Sequence, residues 1–166
     1  MPGGLKHTRT IPSGGTHTMQ YAQAQPGRVY VIRLEQGEVL HEEIERFCEL
    51  QSIRAAALLV VGGADQGSQL VVGPECGDQA PIVPQIHTLT GVHEISGTGT
   101  VFWDHAAGRP TAHIHLACGR GDTAVSGCAR HGVVAWQIME IVLWELTGTS
   151  ATRVLDPQLG FSLLQP

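Results

Sequence analysis

The feature that most constrains this chain is the run Thr111–Leu146, TAHIHLACGRGDTAVSGCARHGVVAWQIMEIVLWEL, which alternates on either side of a glycine-rich turn. A period of two belongs to β-strands. His113 and His115 therefore share one face of their strand, with Ala112, Ile114 and Leu116 on the other. The chain turns through Gly119-Arg120-Gly121-Asp122 and comes back with Cys128 and His131. Two strands joined in this way can bring a third ligand beside the first two. His113, His115, Cys128 and His131 are thus candidate metal ligands, a set that suits zinc or a similar divalent ion. Three protein ligands leave an open position for water or substrate, and a nearby carboxylate could serve as base. Glu94 and Glu140 are the candidates for that catalytic role. The rival reading makes the two histidines hydrogen-bonded polar residues on a half-buried strand. Arg120-Gly121-Asp122 reads as turn chemistry.

The rest of the chain supports a strand-rich fold. Residues 1–25 are rich in Gly, Pro, Ser and Thr and read as a flexible arm, leaving residues 26–166 as one domain. Arg28–Leu34 is β-branched and aromatic enough for a strand. After Gln36-Gly37 the period changes: Leu40, Ile44 and Phe47 repeat at helical spacing through Glu38–Ser52, with Glu42, Glu43, Glu45 and Glu49 assigned to a solvated face. His41 and Cys48 on this helix read as surface and core fillers. Ile53–Val61 is a continuous apolar run and reads as a central strand. A short strand at Ser68–Val72, a loop over residues 73–84 and a strand at Gly91–Trp103 come next. Gly97 and Gly99 lie on the His93, Ile95 and Val101 face of that last strand, marking a bulge or a close backbone approach.

In Trp136–Leu146, Glu140 shares a face with Trp136, Ile138, Val142, Trp144 and Leu146. A carboxylate in an apolar row needs a partner if it is buried. Residues 153–164 read as strand, turn, strand. The expected class is α+β: a single domain with a largely antiparallel, twisted sheet, one main helix and few short helices.

Composition narrows the function classes. One lysine and nine scattered arginines stand against fifteen carboxylates, a net charge of −5, so no clustered cations mark a nucleic-acid footprint. Four cysteines form no spaced disulfide framework and fit a reduced, cytoplasmic setting, with a Cys118–Cys128 bridge as the rival. No apolar run approaches the ~20 residues of a membrane helix, and the first residues lack the apolar core of a signal peptide.

Over roughly Arg28–Leu164 the chain resembles the plants-and-prokaryotes-conserved (PPC) domain family, in its stand-alone prokaryotic form. The resemblance is carried by Gly37-Glu38 opening the helix and by Gly63-Ala64 closing an apolar strand. Glu94–Val101 matches "E-[IL]-x-S-x-x-G-x-[IV]" with the serine one position early. Gly108–His115 matches "G-x-P-x-x-H-x-H" position for position, and Glu140-Ile141-Val142 lies eight residues after Gly132, as in the family.

The family usually carries Gly-Gly-His-Leu between these last stretches, and its histidine completes a three-histidine metal site in prokaryotic members. Here Ser126-Gly127 stands for the Gly-Gly and Cys128 for the histidine. The resemblance leaves three outcomes: a site of His113, His115 and Cys128, one that recruits His131 instead, or a lost site. It also implies a homotrimer. Two functions arise as expectations. The first is a metal-supported site for an unknown small molecule, hydrolytic if it reacts. The second is the DNA-binding or regulatory protein-interaction role given to plant relatives, which here lacks an AT-hook and a basic patch.

Overall fold

Alternating apolar and polar side chains favour strands because a pleated backbone sends successive side chains to opposite faces. The computed structural model describes residues 19–78 and 81–166. In chain order it comprises β1 (Gln25–Glu35), α1 (Leu40–Leu50), β2 (Ala55–Ala64), β3 (Gln69–Pro74), β4 (Pro84–Thr88) and β5 (His93–Asp104). Then come β6 (Arg109–Arg120), β7 (Thr123–Cys128), β8 (Ala135–Thr147), β9 (Thr152–Asp156) and β10 (Phe161–Gln165). One sheet runs in the order β1-β8-β2-β5-β6-β7-β3-β4, every neighbour antiparallel. The β9–β10 hairpin attaches through a single parallel pairing of Asp104 with Arg153.

The helix forms where the period is 3.6, and Gly37 (φ 89°) and Ser52 (φ 56°), both left-handed, stand at its two ends. Leu40, Ile44 and Cys48 fall on one stripe, and all three are fully buried. They pack on the sheet face that carries Leu58, Val60, Ile114, Leu116, Met139, Ile141 and Leu143. Each such side chain taken fully out of water contributes about 1.5–3 kcal/mol before entropy is charged.

Glycines on β5 let β6 lie close. A Cβ on Gly97 would sit 2.3 Å from the His115 carbonyl oxygen and 2.5 Å from Leu116 Cδ2. The β5–β6 register runs unbroken from Glu94–Gly119 to Asp104–Arg109, so these glycines mark close approach and not a bulge.

The structure departs from the sequence reading in four places. Glu45 does not join the solvated face: it is 4 % exposed and points into the sheet side of α1. Along β8 the buried residues are Ala135, Met139, Ile141 and Leu143. Glu140, Ile138 and Trp144 look outward, so the apolar row around Glu140 is the open face and Glu140 is exposed. Where the expected loop ends, Pro84–Thr88 is a strand paired with β3, a segment the sequence reading left unassigned beyond residue 84, and it is exposed along its whole length as a proline-flanked edge strand is. The expected short helices are not found among the described residues, where α1 is the one helix. Most of the expected N-terminal arm, residues 1–18, lies outside the described residues.

Candidate metal centre

Cross-strand register assembles the cluster. His113 pairs with Thr100 and His115 with Thr98 on β5, while Cys128 at the end of β7 lies directly opposite His115. Directly paired residues share a face, so the two imidazoles and the thiol project from the same side, the outward one. Ser126 holds the return strand by donating its hydroxyl to the Leu116 carbonyl at 3.0 Å, and the Ala129 amide donates to the Ile114 carbonyl at 2.9 Å. Gly127 has no room for a side chain, since a Cβ there would come within 2.6 Å of the Val71 carbonyl oxygen.

His113 Nε2 and His115 Nε2 are 3.1 Å apart, with the rings edge to face and their centroids 5.0 Å apart. Ligand bonds of ~2.05 Å at the tetrahedral angle would separate two nitrogens by about 3.3 Å, so the spacing suits one shared ion. One ligand atom from each of His113, His115 and Cys128 lies within 4.8 Å of the others. Burial lowers the pKa of His113, and the charges of Arg153 and Arg130 lower it further. Burial also lowers that of His115, followed by His113 and Arg130. Both lowered values favour the neutral ring, the form in which a ring nitrogen can offer its lone pair to a cation. Arg130 Nε donates to Cys128 Sγ at 3.2 Å, setting a positive charge against the sulfur.

His131 is not part of this group: it is exposed in the turn after β7, beside Arg130 and the Leu159–Phe161 segment. Glu94 shares the outward face but stands four positions along β5 from Thr98, roughly 14 Å from the cluster at strand rise. Glu140 is on β8, with β2 and β5 between it and the histidine strand, so three strand spacings put it at least roughly 14 Å away. Neither expected base is brought to the cluster. Face parity alone cannot supply such proximity, because one sheet face extends over many strands.

Cys118 pairs opposite Val125 and points into the core, where burial pushes its pKa up to about 11. It and Cys128 project from opposite faces, and all four cysteines are free, so the hairpin disulfide does not form.

Two residues at the site escaped the sequence reading. Arg130 lies between two candidate ligands and could have been noticed. Arg153 could not, since forty residues separate it from His113 and only β9 brings it back.

A family model for the Plants and Prokaryotes Conserved (PCC) domain matches residues 21–147. The fold is similar to that of a metal-containing protein of Archaeoglobus fulgidus, at TM-score 0.75 and 23% identity over 89% of this chain and 100% of that one. It is likewise similar to a plant- and prokaryote-conserved protein of Pyrococcus horikoshii, at TM-score 0.70 and 23% identity over 89% and 100%. A protein of Ralstonia eutropha whose name suggests DNA binding is similar at TM-score 0.64 and 19% identity over 82% and 90%. No curated protein matches the chain.

Proposed function

This chain belongs to the Plants and Prokaryotes Conserved domain family, and on that footing we propose that it binds a small molecule at a metal-supported site. The observation that carries the reading is the grouping of His113, His115 and Cys128 on the outward face, with the two Nε2 atoms 3.1 Å apart and one ligand atom of each residue within 4.8 Å of the others. Two neutral imidazoles and a cysteine sulfur, which ligates a metal as the thiolate, form a donor set for zinc or a similar divalent ion. Such an ion supplies Lewis acidity at an open coordination position, so hydrolysis is the reaction class the site would support. The protein's part is to orient the ligands. Pairing with β5 and β7 fixes the strand that carries both rings, and the Arg130 guanidinium holds the Cys128 sulfur. The similar protein of Archaeoglobus fulgidus, named as metal-containing, supports this reading.

Elemental analysis of protein purified without an affinity tag tests it. About one zinc per chain is expected. His113→Ala should abolish stoichiometric zinc, and Cys128→Ala should weaken it far more than His131→Ala. Equal, negligible effects at 128 and 131 would reduce the site to two histidines.

The assembly proposed is a homotrimer. In its support, the outward sheet face leaves Val29, Val31, Leu59, Val61, Ile138 and Trp144 between 37 % and 85 % exposed in one chain. A reducing, cytoplasmic setting is part of the same proposal and is supported by the four free thiols. No helix among the described residues is long and apolar enough to cross a membrane. The DNA-binding role suggested by the name of the Ralstonia eutropha protein finds no run of basic residues in this sequence, whose net charge is −5.

A further inference from the structure

A cavity of about 350 Å³ opens beside the cluster, with His113 in its wall. Besides His113, its polar lining is Asp104, Thr111, Arg130, Arg153 and Ser162, and β10 closes one side with Phe161, Leu163 and Leu164. Arg153 is 7 % exposed. Its Nη2 donates to Thr100 Oγ1 at 3.2 Å, while its Nε–H is buried and donates to nothing. The Thr111 hydroxyl is buried and unpartnered in the same wall. Among the described residues, no carboxylate comes within 4.0 Å of Arg130 or Arg153.

The one carboxylate in the lining is already engaged. Asp104 Oδ1 accepts from the Ala106 and Ala107 amides at 2.8 and 3.1 Å, and although burial opposes it, Ser162, these amides and the Arg153 charge hold its carboxyl below the usual range, so Asp104 offsets part of the Arg153 charge from a distance. The cavity thus carries two guanidinium charges against one satisfied carboxylate, in a chain that is acidic as a whole. A buried guanidinium N–H without an acceptor is a costly group to keep, and an oxyanion that offers two neighbouring oxygens is the partner its fork geometry fits.

We propose that this cavity is an anion subsite that takes the carboxylate or phosphate group of a small ligand, with Arg153 and Arg130 as its cationic donors and Thr111 as its neutral one. The volume lies near the lower end for small-molecule sites, so the ligand is compact. Because His113 belongs to both the cavity and the cluster, a ligand anchored here by its anion presents its other end to the metal position. The substrate class of the metal-supported site is then a compact anion, an assignment that rests on the metal reading, whereas the anion subsite itself does not.

The test is calorimetric titration of inorganic phosphate and of acetate, at fixed ionic strength in chloride, into the protein as purified and after zinc removal by a chelator. Saturable binding of at least one anion at one site per chain is expected in both forms. Arg153→Lys keeps the charge and loses the fork. It should weaken binding at least tenfold while leaving zinc content unchanged, and Arg130→Gln should weaken it similarly in the zinc-free form. Should Arg153→Lys fail to fold, Arg130→Gln and Thr111→Val, both measured zinc-free, decide. Absence of saturable heat with either anion, or binding that neither arginine change alters, overturns the subsite. Zinc retained without anion binding removes the subsite alone. Anion binding in a protein that never holds zinc removes the metal reading and leaves the arginine subsite standing.

Discussion

Replacing Glu45 by Ala should destabilise the protein by about 2–3 kcal/mol, and the structure says which bonds supply that cost. Glu45 Oε1 accepts from the Ala112 amide at 2.9 Å, and Oε2 accepts from Arg109 Nη1, with the carboxylate side chain only 5 % exposed. Arg109 is half exposed and rehydrates when its partner leaves, so that arm contributes at most about 1 kcal/mol. The Ala112 amide is different. Without an acceptor it stays partly buried and unsatisfied, which costs about 1–3 kcal/mol. Lost methylene packing adds roughly 0.8 kcal/mol per group, offset in part because a carboxylate no longer has to be desolvated. For a chain of this size, a loss of 2–3 kcal/mol lowers Tm by roughly 5–10 °C.

Glu45→Gln keeps an acceptor for Ala112 and gives up the charge, so it should cost less, about 1–1.5 kcal/mol. Urea unfolding followed by tryptophan fluorescence, at one protein concentration and with an unchanged slope, reads both variants. A Glu45→Ala protein within about 0.5 kcal/mol of wild type, or one more stable than Glu45→Gln, would refute this account of the buried pair. Since Ala112 precedes His113, the same change loosens the strand that carries the ring.

The Arg28 side chain holds the Glu145 carboxyl down at about 2 by hydrogen bonding, against the opposing effect of burial. A depressed carboxylate stabilises above its unfolded value of 4.5, and that contribution is lost as pH falls from there towards 2. The urea midpoint of wild type should therefore exceed that of Glu145→Gln at pH 7 and converge with it near pH 2; a gap that persists at pH 2 contradicts the assignment. Light scattering should give about three times the 17.7 kDa chain mass, and Val31→Glu, on the outward face, should shift the mass to that of one chain. A wild-type monomer throughout the micromolar range excludes the trimer. Gel shifts at physiological salt should detect only weak binding of duplex DNA without sequence preference, and a salt-sensitive sub-micromolar complex would overturn that expectation.

The change of period after Ser52, the shared face of His113 and His115, and the glycine turn that brings Cys128 back were all legible in the sequence. Each arises from local backbone geometry, in which side-chain direction repeats every 3.6 or every 2 residues. The PPC resemblance rested on the same local motifs. The tertiary structure alone decided the relations between segments. The family motif had already set Cys128 at the third-ligand place, but it stands with the two imidazoles, and His131 does not, because the β6–β7 register sets Cys128 opposite His115. Glu45 is buried because α1 meets the sheet beside Ala112, which no helical wheel could reveal. The apolar row around Glu140 faces outward because its alternate neighbours Met139, Ile141 and Leu143 fill the core. Arg153 reaches the site because a single parallel pairing lays β9 against β5. Register and packing depend on contacts summed across the whole sheet, and a one-residue slip would reverse every face. Such relations are therefore properties of the fold and not of any one segment.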